Sequence, residues 1–459
     1  MYDAARIEAS IELLSECEES WQSASPMPAD IVINRYFKSK RYMGSKDRAA
    51  IAELVYFTIR NYATLTWWAQ RGGESGARAL IIAVLLLRGL LRKEKNDNET
   101  FDAATLAKKT WPIELPQLHK YFDGQRFCPD TLSNGENAYA KTLIGQPLLH
   151  PDMPAAVRLN FPVWMEDDIK ASLGDAWETE VTALSQEAPV DLRTNTLLTT
   201  RDILLKALRE EGYKVEQTRL SPIGIRMQSR APIFTSACFK QGWFEMQDEG
   251  SQLVSLLLPA KEGDKIIDFC AGAGGKTLAL AAKMHNKGRI LAWDTSGQRL
   301  EQMRPRLKRA KVDNVQLHVL ESEHDAFIKR HKESANGVFI DAPCSGSGTW
   351  RRNPDLKWRM QKKDLNEILA VQQSILQSAA RLVKKGGHLL YVTCSILQSE
   401  NESQIETFLS GNKNFRVVLP EKLWSNFSDQ TMKQGGTIRL TPHKDGTDGF
   451  FAALLQRCE

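Results

Sequence analysis

The chain has no C-x-x-C pair, and its seven cysteines are an odd number spread over 459 residues. A disulfide framework or a tetrahedral zinc site needs thiols grouped at short spacing, so neither is expected and a reducing, cytoplasmic setting fits. Long hydrophobic runs are also missing. The longest, residues 79–91, is broken by Arg88 and falls short of the roughly 20 apolar residues that cross a bilayer. Met1-Tyr2-Asp3-Ala4-Ala5-Arg6 lacks the basic-then-apolar build of a secretory signal. Internal repeats and low-complexity tracts are absent. Metal and membrane partners are therefore not expected.

What is present is ordinary for a soluble globular chain: 42% hydrophobic and 25% charged residues. The length suggests about two to four domains. A net charge of +5 permits an anionic partner without placing it.

Two of the cysteines stand in informative places. Cys344 lies in Asp341-Ala342-Pro343-Cys344-Ser345-Gly346-Ser347-Gly348, and Cys394 in Thr393-Cys394-Ser395. Short apolar runs, Gly337-Val338-Phe339-Ile340 and His388-Leu389-Leu390-Tyr391-Val392, precede them and read as buried strands. In an open parallel sheet the strand ends meet along one rim, where ligands bind. The two thiols can converge there, and a thiolate is the strongest nucleophile among ordinary side chains. The pattern suggests covalent catalysis on an electrophilic ring.

Upstream, Lys265-Ile266-Ile267-Asp268-Phe269 reads as a strand and residues 278–284 as a helix. Between them lies Cys270-Ala271-Gly272-Ala273-Gly274-Gly275-Lys276-Thr277. Strand, glycine turn and helix form the first unit of a nucleotide-type fold, with backbone N–H groups facing the ligand. The next strand, 289–293, ends at Asp294, placed to accept hydrogen bonds from ribose hydroxyls. Gly275-Lys276-Thr277 ends like a phosphate-binding P-loop, but the upstream glycine of that motif is missing. The glycine spacing also departs from the dinucleotide fingerprint. With Asp294 and two rim cysteines, the loop favours an adenosyl cofactor with no phosphate to hold, S-adenosyl-L-methionine.

Read in order, DFCAGAGGKT, DAPCSGSGTWRRNPDLKW, GGHLLYVTCSILQSENE and TPHKDGTDGFFAALL resemble the RsmB/Nop/Sun family of RNA 5-methylcytosine methyltransferases. The run 244–252 resembles that family's lead-in to its catalytic domain, and 192–197 the start of its small pre-catalytic subdomain. Residues 1–140 match more loosely the helical NusB-like domain of RsmB-type members.

The resemblance implies a Rossmann-like α/β methyltransferase domain over 244–459. It implies a small α+β subdomain over 155–243 and an all-helical NusB-like RNA-binding domain over 1–145. It also implies methyl transfer to carbon 5 of a cytosine in RNA, ribosomal RNA first and transfer RNA as the alternative, by a monomer. Thiolate addition at carbon 6 would make carbon 5 nucleophilic, on a base that is unstacked or flipped. Spacing alone cannot divide the two cysteines between attack and release. The resemblance gives attack to Cys394 and release to Cys344, with Asp341 on the cytosine edge and Lys276 nearby. Its cofactor set falls on Cys270, Ala271, Gly272, Ala273, Gly274, Gly275, Lys276, Asp294, Arg299 and Asp341. The acidic residue facing the adenine falls on Glu321 or Asp325. The family's usual loop is C-A-A-P-G-G-K, and here a glycine and an alanine replace its alanine and proline.

Other classes fit less well. A DNA cytosine methyltransferase uses one Pro-Cys nucleophile and has no need of a second rim cysteine. An amino-group methyltransferase carries an N-P-P-Y-like tetrad where this chain has Asp341-Ala342-Pro343-Cys344. A non-catalytic, antitermination-like RNA-binding protein would leave the cofactor apparatus unused.

In the N-terminal part, 48–60 has helical apolar spacing with Asp47 as a candidate cap, and 79–91 reads as a buried central helix. Asn96-Asp97-Asn98 reads as a loop, and 145–154, with three prolines, as a linker. Cys17, Cys128, Cys238 and Cys458 read as small packing residues. Two basic runs remain. Arg299, Arg304, Arg306, Lys308, Arg309 and Lys311 suit a solvated helix face as well as RNA. Arg351, Arg352, Lys357, Arg359, Lys362 and Lys363, interleaved with Trp350 and Trp358, are expected to meet RNA.

Overall fold

The computed structural model describes residues 1–88, 90–91, 110–419 and 436–458; the loop expected at 96–98 lies outside them. The chain forms two compact units. One gathers Met1–Lys170, Val181–Glu187 and Trp350–Gln361, and the other Ala171–Glu180, Ala188–Thr349 and Lys362–Glu459.

The first unit is built on helices α1 (Asp3–Gln22), α2 (Ala29–Ser39), α3 (Ser45–Arg60), α4 (Tyr62–Arg71), α5 (Gly76–Leu87), α6 (Leu115–Tyr121) and α7 (Asn134–Leu143). Every residue from Ala79 to Leu87 is buried, and α1, α3, α4 and α7 pack around α5. A helix apolar on all sides is stable only when surrounded in this way. The unit is not wholly helical, because Leu90–Leu91 pairs antiparallel with Thr110–Trp111. Asp47 does not cap α3. The N-cap is Gly44, and Asp47 instead binds the Arg6 guanidinium at 2.8 Å.

Residues 350–361 belong to this helical unit. The Trp358 indole donates to Ile59 O at 2.8 Å, and Ala29 N to the Asp355 carboxylate at 3.0 Å. The Arg60 guanidinium donates to Arg351 O at 3.2 Å. This corrects the expectation of RNA contact at Arg351, Lys357 and Arg359, whereas Lys362 and Lys363 of the same run are exposed. Arg351 and Lys357 are buried, and Arg359 is paired with Asp355 at 2.7 Å.

In the second unit, β1 (Val190–Thr194), β2 (Val215–Gln217), β3 (Gly224–Met227) and β4 (Phe244–Met246) make an antiparallel sheet in the order β2-β3-β1-β4. Leu204, Leu205 and Leu208 of α8 (Arg201–Glu210) pack on it.

The large sheet contains β5 (Lys265–Asp268), β6 (Arg289–Asp294), β7 (Val315–Val319), β8 (Ala335–Asp341), β9 (Val383–Thr393), β10 (Phe415–Val417), β11 (Thr437–Leu440) and β12 (Phe450–Arg457). Its order is β10-β12-β9-β8-β5-β6-β7, with β11 also on β12. Strands β5 to β9 are parallel as expected, whereas β12 runs antiparallel to β9.

Side chains of the central strands alternate between the two faces. Ile267, Val338, Ile340 and Tyr391 pack with α12 (Lys362–Ala380) and α13 (Glu402–Gly411). Ile266, Phe339, Leu390 and Val392 pack with α9 (Glu249–Leu257) and α10 (Gly275–Lys283), the helix after the glycine loop. The helix after β6 is α11 (Gly297–Ala310). Strand order reverses between β5 and β8, and a crevice at the carboxyl ends of such a sheet is where ligands bind.

Candidate active site

The glycine loop links β5 to α10, and its shape is imposed by backbone sterics. Gly274, the N-cap of α10, has φ +84°, and a Cβ there would lie 2.3 Å from Met303 Cγ of α11. Only glycine meets both conditions. Asp294 at the end of β6 accepts from Gly272 N at 2.8 Å through one oxygen and from Ser296 N at 2.7 Å through the other. Each oxygen keeps a second lone pair for a ligand. Two arginines brace the loop carbonyls: Arg193 donates to Gly275 O at 2.5 Å, and Arg306 to Ala273 O at 2.6 Å. Arg306 also pairs with Glu245, so this member of the first basic run is structural.

Asp268 was missed in the sequence reading. It ends β5, is fully buried, and accepts from the Thr277 hydroxyl through one oxygen at 2.6 Å. Its other oxygen has no partner among the described residues. Burial lifts its pKa to about 7, against the Thr277 hydrogen bond. The available signal was an acidic residue closing an otherwise apolar strand directly before a glycine turn.

At the next strand ends the register aligns Asp341 with Val392, so the loops after β8 and β9 start level. Cys344 Sγ and Cys394 Sγ are 3.4 Å apart. The hydrogen bond to Cys394 and burial push the Cys344 thiol well above its ordinary range. Lys276 Nζ, from α10, bonds Asp341 Oδ2 at 2.5 Å. Burial opposes the charge on Lys276, but Asp341, followed by Cys394 and Asp268, raises its pKa above that of an ordinary lysine. The site therefore holds a buried cation paired with one carboxylate, beside two neighbouring thiols.

Both cysteine loops are tied to Glu400, a second residue the sequence reading passed over. Its carboxylate accepts from Ser345 N at 2.7 Å and from the hydroxyls of Ser345 and Ser395. Gln372 of α12 donates to the same carboxylate and to Pro343 O. Gly348 N donates to Cys394 O at 2.9 Å.

The remaining expected residues are less engaged. Cys270 is kept a thiol by burial. Arg299 is exposed on the first turn of α11. Asp325 uses its carboxylate locally, accepting from Glu321 N at 2.9 Å and Phe327 N at 2.7 Å. Glu321 is exposed beyond β7, and its carboxylate makes no hydrogen bond or ion pair among the described residues. Among the described residues no group of three or more His, Cys, Asp or Glu could hold a metal, and no helix is long and apolar enough to cross a membrane.

Residues 255–456 match the family described as 16S rRNA methyltransferase RsmB/F, and residues 161–234 match the RsmF/B-like ferredoxin-like domain. The chain is 29% identical to a probable ribosomal RNA small subunit methyltransferase B of Synechocystis sp., covering 93% of this chain and 95% of that protein. It is 31% identical to ribosomal RNA small subunit methyltransferase B of Photorhabdus laumondii, over 64% of this chain and 66% of that protein. Among solved structures, the crystal structure of PH0851 is 25% identical with a TM-score of 0.75, covering 100% of this chain and 99% of that one.

Proposed function

We propose that this chain, which belongs to the RsmB/F family of methyltransferases, methylates carbon 5 of a cytosine in small-subunit ribosomal RNA with S-adenosyl-L-methionine as donor. The observation that carries the reading is the pair of thiols 3.4 Å apart at the sheet rim, beside the Lys276–Asp341 ion pair.

The residues fit the cofactor. The buried oxygen of Asp268 that has no partner among the described residues suits its ammonium, and the remaining lone pairs of Asp294 suit its ribose hydroxyls. No atom lies within 4 Å of an added Cβ at Gly272, which leaves the loop open to a ligand on that side. When bound, the cofactor supplies an electrophilic methyl group.

The chain's own groups prepare the acceptor. Cys394 Sγ, as thiolate, adds to carbon 6 of the base, and the ring electrons move to make carbon 5 nucleophilic. Asp341 holds the cytosine edge, and Lys276 keeps Asp341 in place through their 2.5 Å ion pair. After methylation, carbon 5 gives up its proton to a base and the carbon 6–sulfur bond breaks, its electron pair returning to Cys394. Cys344, held as a neutral thiol within hydrogen-bond reach of that sulfur, assists its departure.

Denaturing gels with labelled small-subunit rRNA test the division of labour. Cys394→Ala should abolish both methyl transfer and any covalent adduct, whereas Cys344→Ala should accumulate protein bound to RNA. Adduct with Cys394→Ala and none with Cys344→Ala reverses the two roles.

A further inference from the structure

Away from the rim, a groove of about 670 Å³ opens between the small antiparallel sheet's flank and the carboxyl-terminal half of α11. Lys240 and Trp243 line it from the segment before β4, and Lys308, Arg309 and Lys311 from the end of α11, together with Leu198. Basic residues at a helix C-terminus ordinarily just offset the helix dipole. Arg309 is accounted for more simply still, since it pairs with buried Glu245 and stacks over Phe239 at 4.1 Å. The three lysines differ. They are exposed, none makes an ion pair or side-chain hydrogen bond among the described residues, and Lys240 comes from a different segment of the chain. Half-exposed Trp243 stands among them.

The floor is rigid. Asn195 donates to both Gly242 O and Ala310 O at 3.0 Å, joining the two segments. Gly242 has φ +77°, and a Cβ there would lie 2.0 Å from Arg309 O, so the turn is locked against the helix end. Three exposed lysines lining one groove with an indole, none of them in an ion pair among the described residues, match the chemistry of single-stranded nucleic acid: phosphates for the cations and an unstacked base for the ring.

We propose that this groove binds a single-stranded segment of the substrate RNA, outside the segment that presents the target base. The proposal rests on the reading of the chain as an RNA methyltransferase. Lys308 stands about 17 Å along the helix from Gly297, taking 1.5 Å per residue, so the groove and the rim would hold different nucleotides of one strand.

The test compares wild type with the triple variant Lys240→Ala/Lys308→Ala/Lys311→Ala, with Trp243→Ala, and with a triple Lys→Arg control. The probe is transcribed, protein-free small-subunit rRNA, titrated over a salt series. Loss of three phosphate contacts should lower the slope of log K against log salt by about 2. Affinity should fall at least tenfold at low salt, with KM for RNA rising in proportion. Trp243→Ala should weaken binding about tenfold with little change in slope. The arginine control should bind as wild type does, and kcat and cofactor affinity should stay unchanged throughout. Ultraviolet cross-linking should place a nucleotide on Trp243. A triple variant with wild-type slope and KM overturns the groove, even if wild type methylates the RNA. If wild type binds this RNA without methylating it, the proposed activity fails, and a lowered slope in the triple variant still upholds the groove.

Discussion

At neutral pH the Asp268 carboxyl stands near its own midpoint, because burial lifts its pKa to about 7. A carboxyl raised above its unfolded value of roughly 3.9 favours the folded state below that value, and the benefit is lost as pH climbs through the folded pKa. Ionisation therefore costs the ligand-free protein stability between about pH 4 and 7. An ammonium placed against the free oxygen reverses this by pairing with the carboxylate. Affinity for S-adenosylmethionine should rise as pH increases through about 7. It should fall again as the ligand's own amino group, with a pKa near 7.7–8.0, loses its proton. Calorimetry from about pH 5.5 to 9 should show this peak, with proton release on binding along the acid limb. Asp268→Asn should weaken binding and flatten that limb. An acid limb that survives unchanged in the variant would assign the titration to another group.

The two strand-end loops act as one element because Glu400 accepts from both. Four donors, Ser345 N, the Ser345 and Ser395 hydroxyls and Gln372, converge on one fully buried carboxylate. Glu400→Ala leaves them unsatisfied, at about 1–3 kcal/mol for each buried group that finds no substitute. It should also let the cysteines drift apart. Glu400→Gln keeps an acceptor for the N–H donors and can donate to a serine oxygen, so it should retain most function. The readout is the rate at which diamide oxidises Cys344 and Cys394 to a disulfide, together with kcat. Both should fall in Glu400→Ala and recover in Glu400→Gln. An alanine variant oxidised at the wild-type rate would mean the loops hold themselves.

This network also marks where sequence reading stops. Strands β5, β6, β8 and β9 and the glycine turn were legible because their signals are local: short apolar runs, a glycine needing positive φ, an acid at a strand end. The thiol pair was legible because parallel strands bring their ends together by rule. Glu400 was not, since its value arises only when two loops fold onto it. Lys357 was misread for a related reason. It is 1% exposed and lies 5.7 and 5.2 Å from the rings of Trp350 and Trp358, while its neighbours in sequence make an ordinary basic run. Charge in a sequence does not say which cations are buried; the flanking tryptophans were the only hint.

The division into units changes what a truncation should do. The cofactor loop, Asp268, Asp294, both cysteines and Glu400 all lie in the second unit. Residues 350–361, which follow the Cys344 loop directly, belong to the first and are anchored there by Ile59, Ala29 and Arg60. A chain beginning near residue 150 keeps this segment but loses all three anchors. The Trp358 indole and the Arg351 carbonyl lose these partners, Asp355 keeps only Arg359, and the Trp358 ring loses its contact with Tyr62. Each buried polar group left unpaired costs about 1–3 kcal/mol, so the segment should leave its native conformation even where the large sheet stays folded. The expected outcome is a split. Calorimetry should find S-adenosylmethionine affinity within about threefold of the full chain, because every residue proposed to hold the cofactor is kept. Methyl transfer to small-subunit rRNA should fall tenfold or more, because the Cys344 loop loses a fixed continuation. Supplying residues 1–149 as a separate polypeptide should restore part of the activity by restoring the anchors. Circular dichroism first establishes that the truncated chain is folded. A folded truncation with undiminished kcat on rRNA would show that the helical unit's hold on 350–361 has no bearing on the reaction.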